Sequence, residues 1–186
     1  MTNKIIWDFI NAMEGFSNRG YVPHDNQGNV MGTSGVTIGN GCDLGAIGEE
    51  GLTNLNLSDD LFQKLNKYTK YKKEDAVDFL SRFPLTLYQN ECDELRIAIE
   101  MQQAEAIETM YNNASNVSFA DLTAEQQTIL TSVFYQYGNL PHRCPKFWQS
   151  ATTQCWPCVI AILRTFGDHF GTRRNKEADL LENSLK

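Results

Sequence analysis

Glu14, Thr37 and Asp43 are the residues whose types and spacing admit chemistry. They lie in a stretch from Glu14 to Gly45 that also holds Asp25 and eight of the chain's 13 glycines. Glycine tolerates positive φ and the close approach of a second chain. The stretch therefore reads as tight turns over an open backbone surface, carrying an acid, a second carboxylate and a hydroxyl. Cleavage of a glycosidic bond needs such a set. One carboxylic acid protonates the leaving oxygen, and a second carboxylate activates water or attacks the sugar, at roughly 6.5–9.5 Å for inversion or roughly 5–5.5 Å for retention. The plainer reading is a solvated loop with ordinary surface carboxylates.

The flanking elements follow from periodicity and punctuation. Ile5, Ile6, Phe9, Ile10 and Met13 mark one face of a helix from about Asn3, a candidate N-cap, to Glu14, ended by Gly15. Glu14 then falls in the last turn, where the helix dipole disfavours a negative charge, a setting that suits a proton donor. Two β-like pieces follow, Gly20–Pro23 and Gly35–Ile38, with the turn residues Asp25-Asn26 and Gly28-Asn29 between them. They predict a small hairpin or three-stranded sheet, and Asp25 is most simply part of the turn.

From Ser58 the pattern is helical. Ser58 caps a helix to about Tyr68, a second runs from about Lys73 to Phe83 before Pro84, and a long one from about Leu87 to Tyr111. Thr123-Ala-Glu-Gln126 is a capping box ahead of a helix closed by Gly138. Pro157 opens a helix to Phe166, and Thr172-Arg-Arg-Asn precedes the last. The fold class expected is α+β in a single domain over 1–186. Residues about 15–57 form a small β-containing lobe, and the N-terminal helix with about 58–186 forms a helical lobe.

Charge and composition narrow the function. The net charge of −7 argues against non-specific nucleic-acid binding, which relies on Lys and Arg. No apolar run approaches the roughly 18–20 residues of a membrane span. The N-terminus lacks the pattern of a secretory signal, so synthesis is expected in the cytoplasm. Between Asn139 and Lys176, six Arg or Lys face Asp168 alone. That basic segment can meet a polyanion or pair with the acidic remainder.

Five cysteines are too few for a disulfide scaffold, and their odd number leaves at least one free thiol in an oxidised monomer. Cys155-Trp-Pro-Cys158, with His142 and Cys144 nearby, reads four ways: a redox pair, four zinc ligands, a disulfide made outside the cytoplasm, or idle buried thiols. The last needs least explanation. Cys42 with His24 is formally a nucleophile pair, but nothing in the sequence orients it.

The order helix, Glu14-Gly15, glycine-rich hairpin, then Gly35-Val-Thr-Ile-Gly-Asn-Gly41 resembles the phage-type lysozymes. The longer form, EGxxxxGYVP…SGVTIGNGCDLG, more closely resembles their pesticin-like branch of muramidase toxins and related phage endolysins. Weaker likenesses run through Leu122-Thr-Ala-Glu-Gln-Gln-Thr-Ile-Leu130, Tyr137-Gly138 and Gly171-Thr-Arg-Arg-Asn-Lys-Glu-Ala178. The resemblance implies a lysozyme-like fold and cleavage, without cofactor or metal, of the bond between N-acetylmuramic acid and N-acetylglucosamine in peptidoglycan. It implies Glu14 as general acid and Thr37 as the group that positions water. Asp43 would activate or hold that water, or stabilise the positive sugar. Shorter phage lysozymes place their Asp between the Glu and the Thr. Asp25 lies in that interval, but at a longer spacing, so Asp43 is preferred.

Tyr21, Tyr137, Arg173 and Arg174 are candidates for substrate contact. The expected protein is a monomer that acts in the periplasm or cell wall after export or injection. As a toxin, it would have an immunity protein as partner. The competing classes are a non-catalytic wall-binding or structural protein on the same scaffold, and a transglycosylase or chitinase-like enzyme.

Overall fold

A computed structural model describes residues 3–185. In chain order, α1 (Trp7–Asn11) leads into β1 (Ser17–Tyr21), β2 (Thr37–Gly39) and β3 (Cys42–Asp43). Helices α2 (Leu44–Thr53), α3 (Asp59–Asn66), α4 (Lys73–Arg82) and α5 (Gln89–Asn112) follow. A 3-10 turn, Phe119–Asp121, precedes α6 (Ala124–Tyr137), α7 (Leu140–Arg143), α8 (Pro145–Thr152), α9 (Trp156–Arg164) and α10 (Gly171–Ser184). The class is α+β, as the sequence predicts. No helix among the described residues is long and apolar enough to cross a membrane.

The chain divides into two compact units: Glu14–Met101, and the residues up to Met13 together with those from Gln102 on. The boundary falls inside α5, not near residue 57. The reason is hydrophobic. Leu52, Leu55, Leu61, Leu65, Tyr68, Ala76, Leu87 and Leu95 pack on Val22, Val36 and Ile38 in one core. Helices α2 to α4 thus belong with the sheet they cover.

In that unit β1, β2 and β3 form an antiparallel sheet in sequence order. Ser17 pairs with Gly39 and Tyr21 with Thr37. Thr37 pairs with Asp43 and Ile38 with Cys42. The outer edge of β1 is satisfied by the segment before α5: Gly20 N–H donates to Leu85 O (2.9 Å) and Leu87 N–H to Asn18 O (2.9 Å).

The other unit is built around α6. From Gln126 to Phe134 every residue of this helix is buried, the mark of a helix enclosed on all sides. Its start is the predicted capping box, Thr123 with Gln126, and its end is Gly138. Buried polar side chains of this helix, Gln127 and Thr131 among them, bond backbone carbonyls. Gln127 Nε2 donates to Phe119 O, and Thr131 Oγ1 to Gln127 O.

That helix also explains why α1 is shorter than its periodicity predicts. Gln127 Oε1 accepts from Lys4 N (2.7 Å) and Thr128 Oγ1 from Ile6 N (2.8 Å). These N–H groups are held by side chains of α6, and the helix begins only at Trp7. It ends at Asn11, with Ala12 as C-cap. Glu14 therefore lies in a bend beyond the helix and not in its last turn.

Candidate functional site

The register of the sheet sets Tyr21, Thr37 and Asp43 in one row across three strands. Paired residues of an antiparallel sheet present their side chains on the same face. Two features of the local sequence make the row. Gly39 and Gly41 take positive φ, 62° and 86°, in the turn around Asn40, which brings Cys42-Asp43 straight back along β2. Alternation along β2 then sends Ile38 to the core, fully buried, with Cys42 beside it and Thr37 to the opposite face.

Thr37 is nearly enclosed, 3% exposed, and its Oγ1 lies 3.4 Å from Gly35 O, a long bond. Tyr21, at 42% exposure, is the open end of the row. Asp43 is half-buried and is the N-cap of α2: its Oδ1 accepts from Ala46 N (2.9 Å). Gly35 N donates to both of its oxygens, 3.0 Å to Oδ1 and 3.2 Å to Oδ2. The carboxylate is thus oriented by backbone alone, a fixed acceptor beside a hydroxyl. Glu14 is half-buried in the bend that leads into β1, three residues before Ser17 and so at the Gly39 end of the sheet.

Asp25 has a different place. It is exposed, and its Oδ1 accepts from Gln27 N (2.8 Å) and Asn29 N (2.9 Å). Those bonds, Asn29's first, hold its carboxyl below the usual aspartate range. It organises the turn between His24 and Val30, which form an isolated bridge. His24 Nδ1 donates to Val22 O (2.7 Å). Burial, with the Asp43 charge adding to it, pushes the Cys42 thiol up to about 12. A thiol so protonated is no nucleophile.

The residues expected to touch substrate from the C-terminal part belong to the other unit and are engaged there. Arg174 is 1% exposed and Arg173 7%. Arg174 pairs with Glu177 through Nη1 and with Asp168 through Nε (3.0 Å). Arg173 pairs with Glu177 (3.2 Å) and donates to Ser132 O (3.1 Å). Ser132 Oγ donates to Glu177 (2.5 Å), and Tyr137 OH to Asp168 (2.6 Å). The Arg174 guanidinium lies 4.9 Å from the centre of the Phe166 ring, within cation–π range. Arg173 and Arg174, candidates for substrate contact by sequence, are the cations of a buried ion network. Tyr137 is likewise held by that network.

Burial pushes the Glu177 carboxyl above the usual glutamate range, against the pull of Arg174, Ser132 and Arg173. Burial acts the same way on Asp168, but there the bonds from Tyr137 and Arg174 prevail and hold it below the usual range.

The four-ligand reading of His142, Cys144, Cys155 and Cys158 also falls. Cys155 and Cys158 are joined in a disulfide across the first turn of α9. Cys144 is buried and free, and no group of three metal-binding side chains occurs among the described residues.

One unit holds a small antiparallel sheet with its own helices and the other is built on one enclosed helix, the α+β composition of a lysozyme-like fold. Residues 4–157 match the family described as Pesticin: bacterial toxin homologue of phage lysozyme, C-terminal part. The chain belongs to that family. The match includes Glu14, Tyr21, Thr37 and Asp43, and stops before the ion network of α10. No curated protein matches the sequence.

Proposed function

We propose that this protein is a muramidase, hydrolysing the β-1,4 bond between N-acetylmuramic acid and N-acetylglucosamine in peptidoglycan. Family membership supports this class, and the facing pair Thr37–Asp43 carries the assignment of residues. Glu14 as the acid gives its proton to the glycosidic oxygen while the C–O bond breaks. Positive charge develops on the sugar carbon, and water supplies the new C–O bond and returns a proton. Asp43 accepts from that water or stabilises the positive sugar, and Thr37 orients the water. Tyr21, at the open end of the row, offers an aromatic edge to the glycan.

The chain works in the cell wall or periplasm as a monomer. A holin-type release or an injection machine would deliver it, as a phage endolysin or as an antibacterial toxin. In the second case an immunity protein is its partner. The test is loss of turbidity of permeabilised Gram-negative cells. Wild type clears the suspension and Glu14→Gln does not. Equal behaviour of the two, active or inactive, ends the proposal.

A further inference from the structure

Two buried glycines are required by space and not by conformation. Gly35 and Gly45 are both buried, and neither is among the glycines with positive φ. Gly45 even lies in the first turn of α2, where alanine would be the better helix former. A Cβ on Gly45 would come within 2.5 Å of Tyr71 O and 2.9 Å of Gly35 Cα. A Cβ on Gly35 would come within 2.7 Å of both Gly45 Cα and Tyr71 O. All of these neighbours are backbone, which cannot turn aside as a side chain can. The segment after α3 closes the contact from the other side: Gly35 bridges to Lys72, and Lys73 N donates to Ser34 O (2.7 Å).

The consequence of this contact is at Asp43. It presses the backbone of Gly35 against the start of α2, so that the Gly35 N–H reaches the carboxylate of the residue that caps the helix. Oδ1 then holds two backbone donors, Gly35 N and Ala46 N, whereas Oδ2 has only the longer bond from Gly35.

We propose that Gly35 and Gly45 are positioning residues for Asp43. Their backbone contact fixes the carboxylate so that Oδ1 is consumed by the protein and Oδ2 is the oxygen presented to the reacting water. This rests on the muramidase reading of Asp43 given above. Position in a helix normally favours a side chain over glycine. A local preference broken next to a candidate catalytic group is where function commonly overrides stability.

Two variants test it, with kcat and KM measured on soluble peptidoglycan fragments of defined length and folding followed by thermal melting. Replacing the amide of residue 35 by an ester, through ligation of synthetic and expressed segments, removes only the N–H donor. Gly45→Ala displaces the contact itself. Both should lower kcat about tenfold to a hundredfold and leave KM within about twofold. If Gly45→Ala fails to fold, the ester alone decides. A folded ester variant with wild-type kcat overturns the proposal, as does a fall in activity that merely follows the folded fraction. Asp43→Asn separates this from the reading beneath it. If that variant is inactive while the ester is fully active, the positioning role alone is lost. If Asp43→Asn is fully active, the assignment of Asp43 itself is lost.

Discussion

Thr37 and Asp43 stand opposite each other across β2 and β3, and both are approached by the same backbone residue, Gly35. The relationship separates two roles of Asp43. As an N-cap, asparagine serves as well as aspartate, because a side-chain oxygen still accepts from the helix N–H. As a base or an electrostatic group it does not. Asp43→Asn should therefore melt within a few degrees of wild type yet lose activity at least about a hundredfold, the lower end of a general acid–base contribution. Asp43→Ala should lose both, with about 1 kcal/mol of stability gone in urea unfolding.

Asp25→Asn is the matched control. Asp25 is spent on its own turn through Gln27 and Asn29. The variant should clear permeabilised cells within about twofold of the wild-type rate, the scale of a change remote from the reacting groups. Loss of lysis on this change alone would move the second carboxylate from Asp43 to Asp25.

The buried ion network predicts a stability effect in place of a wall-binding one. Glu177→Ala leaves Arg173 and Arg174 without their shared carboxylate inside the protein. Removing one partner of a buried pair costs about 3–5 kcal/mol. Urea unfolding should register that loss, and reversal of charge at Arg174 should prevent folding, not weaken attachment to the wall.

Acid sensitivity follows from the same network. Asp168 lies below the usual carboxylate range in the folded protein despite its burial, because Tyr137 and Arg174 bond its charged form. Glu91 does so as well, against its burial, through Lys64 and the Tyr88 N–H. A depressed folded value stabilises the protein above the unfolded value of about 4, and that share disappears as pH falls through the folded value. Glu177, raised by burial, works in the opposite sense and softens the loss. Melting temperature should fall between pH 5 and 3, on a scale of about 1.4 kcal/mol for each unit by which a pKa is displaced. Tyr137→Phe should make the slope shallower and cost about 2 kcal/mol near pH 7, the worth of a hydrogen bond to a charged acceptor. An unchanged slope would show that Tyr137 does not act on Asp168.

The disulfide should contribute modestly. Cys155 and Cys158 close a loop with a sequence separation of 3, one helical turn. The entropy so removed from the unfolded chain is worth about 2 kcal/mol at most. A reducing agent, or serine at both positions, should lower the melting temperature by a few degrees without loss of lysis.

Much of this architecture is legible in the sequence because its signals are local. The capping box at Thr123, the stop at Gly138, the break at Pro84 and the Asp25 turn each reside within a few residues. The ordered set Glu14, Thr37, Asp43 is legible for the same reason. Helix α2 is not, because Gly45, Gly48 and Gly51 fall within it, and Gly48 breaks it with a φ of 67°. The early part of α1 is lost to bonds from Gln127 and Thr128, more than a hundred residues away. The Arg173–Arg174 pair misleads because charge alone suggests a surface. The available correction was Glu177, at i+4 and i+3 from the two arginines on one helix face. Gly35 and Gly45 gave no signal apart from their type, since what demands them is the backbone at Tyr71.

Mass analysis of the fragments released from purified peptidoglycan decides whether the protein is a muramidase with Glu14 as its acid. Wild type should liberate disaccharide units ending in reducing N-acetylmuramic acid, each heavier by one water than the linkage it came from. Glu14→Gln, folded to the same melting temperature, should release almost none. Anhydro ends, cuts on the other side of N-acetylglucosamine, or equal release by Glu14→Gln would contradict it.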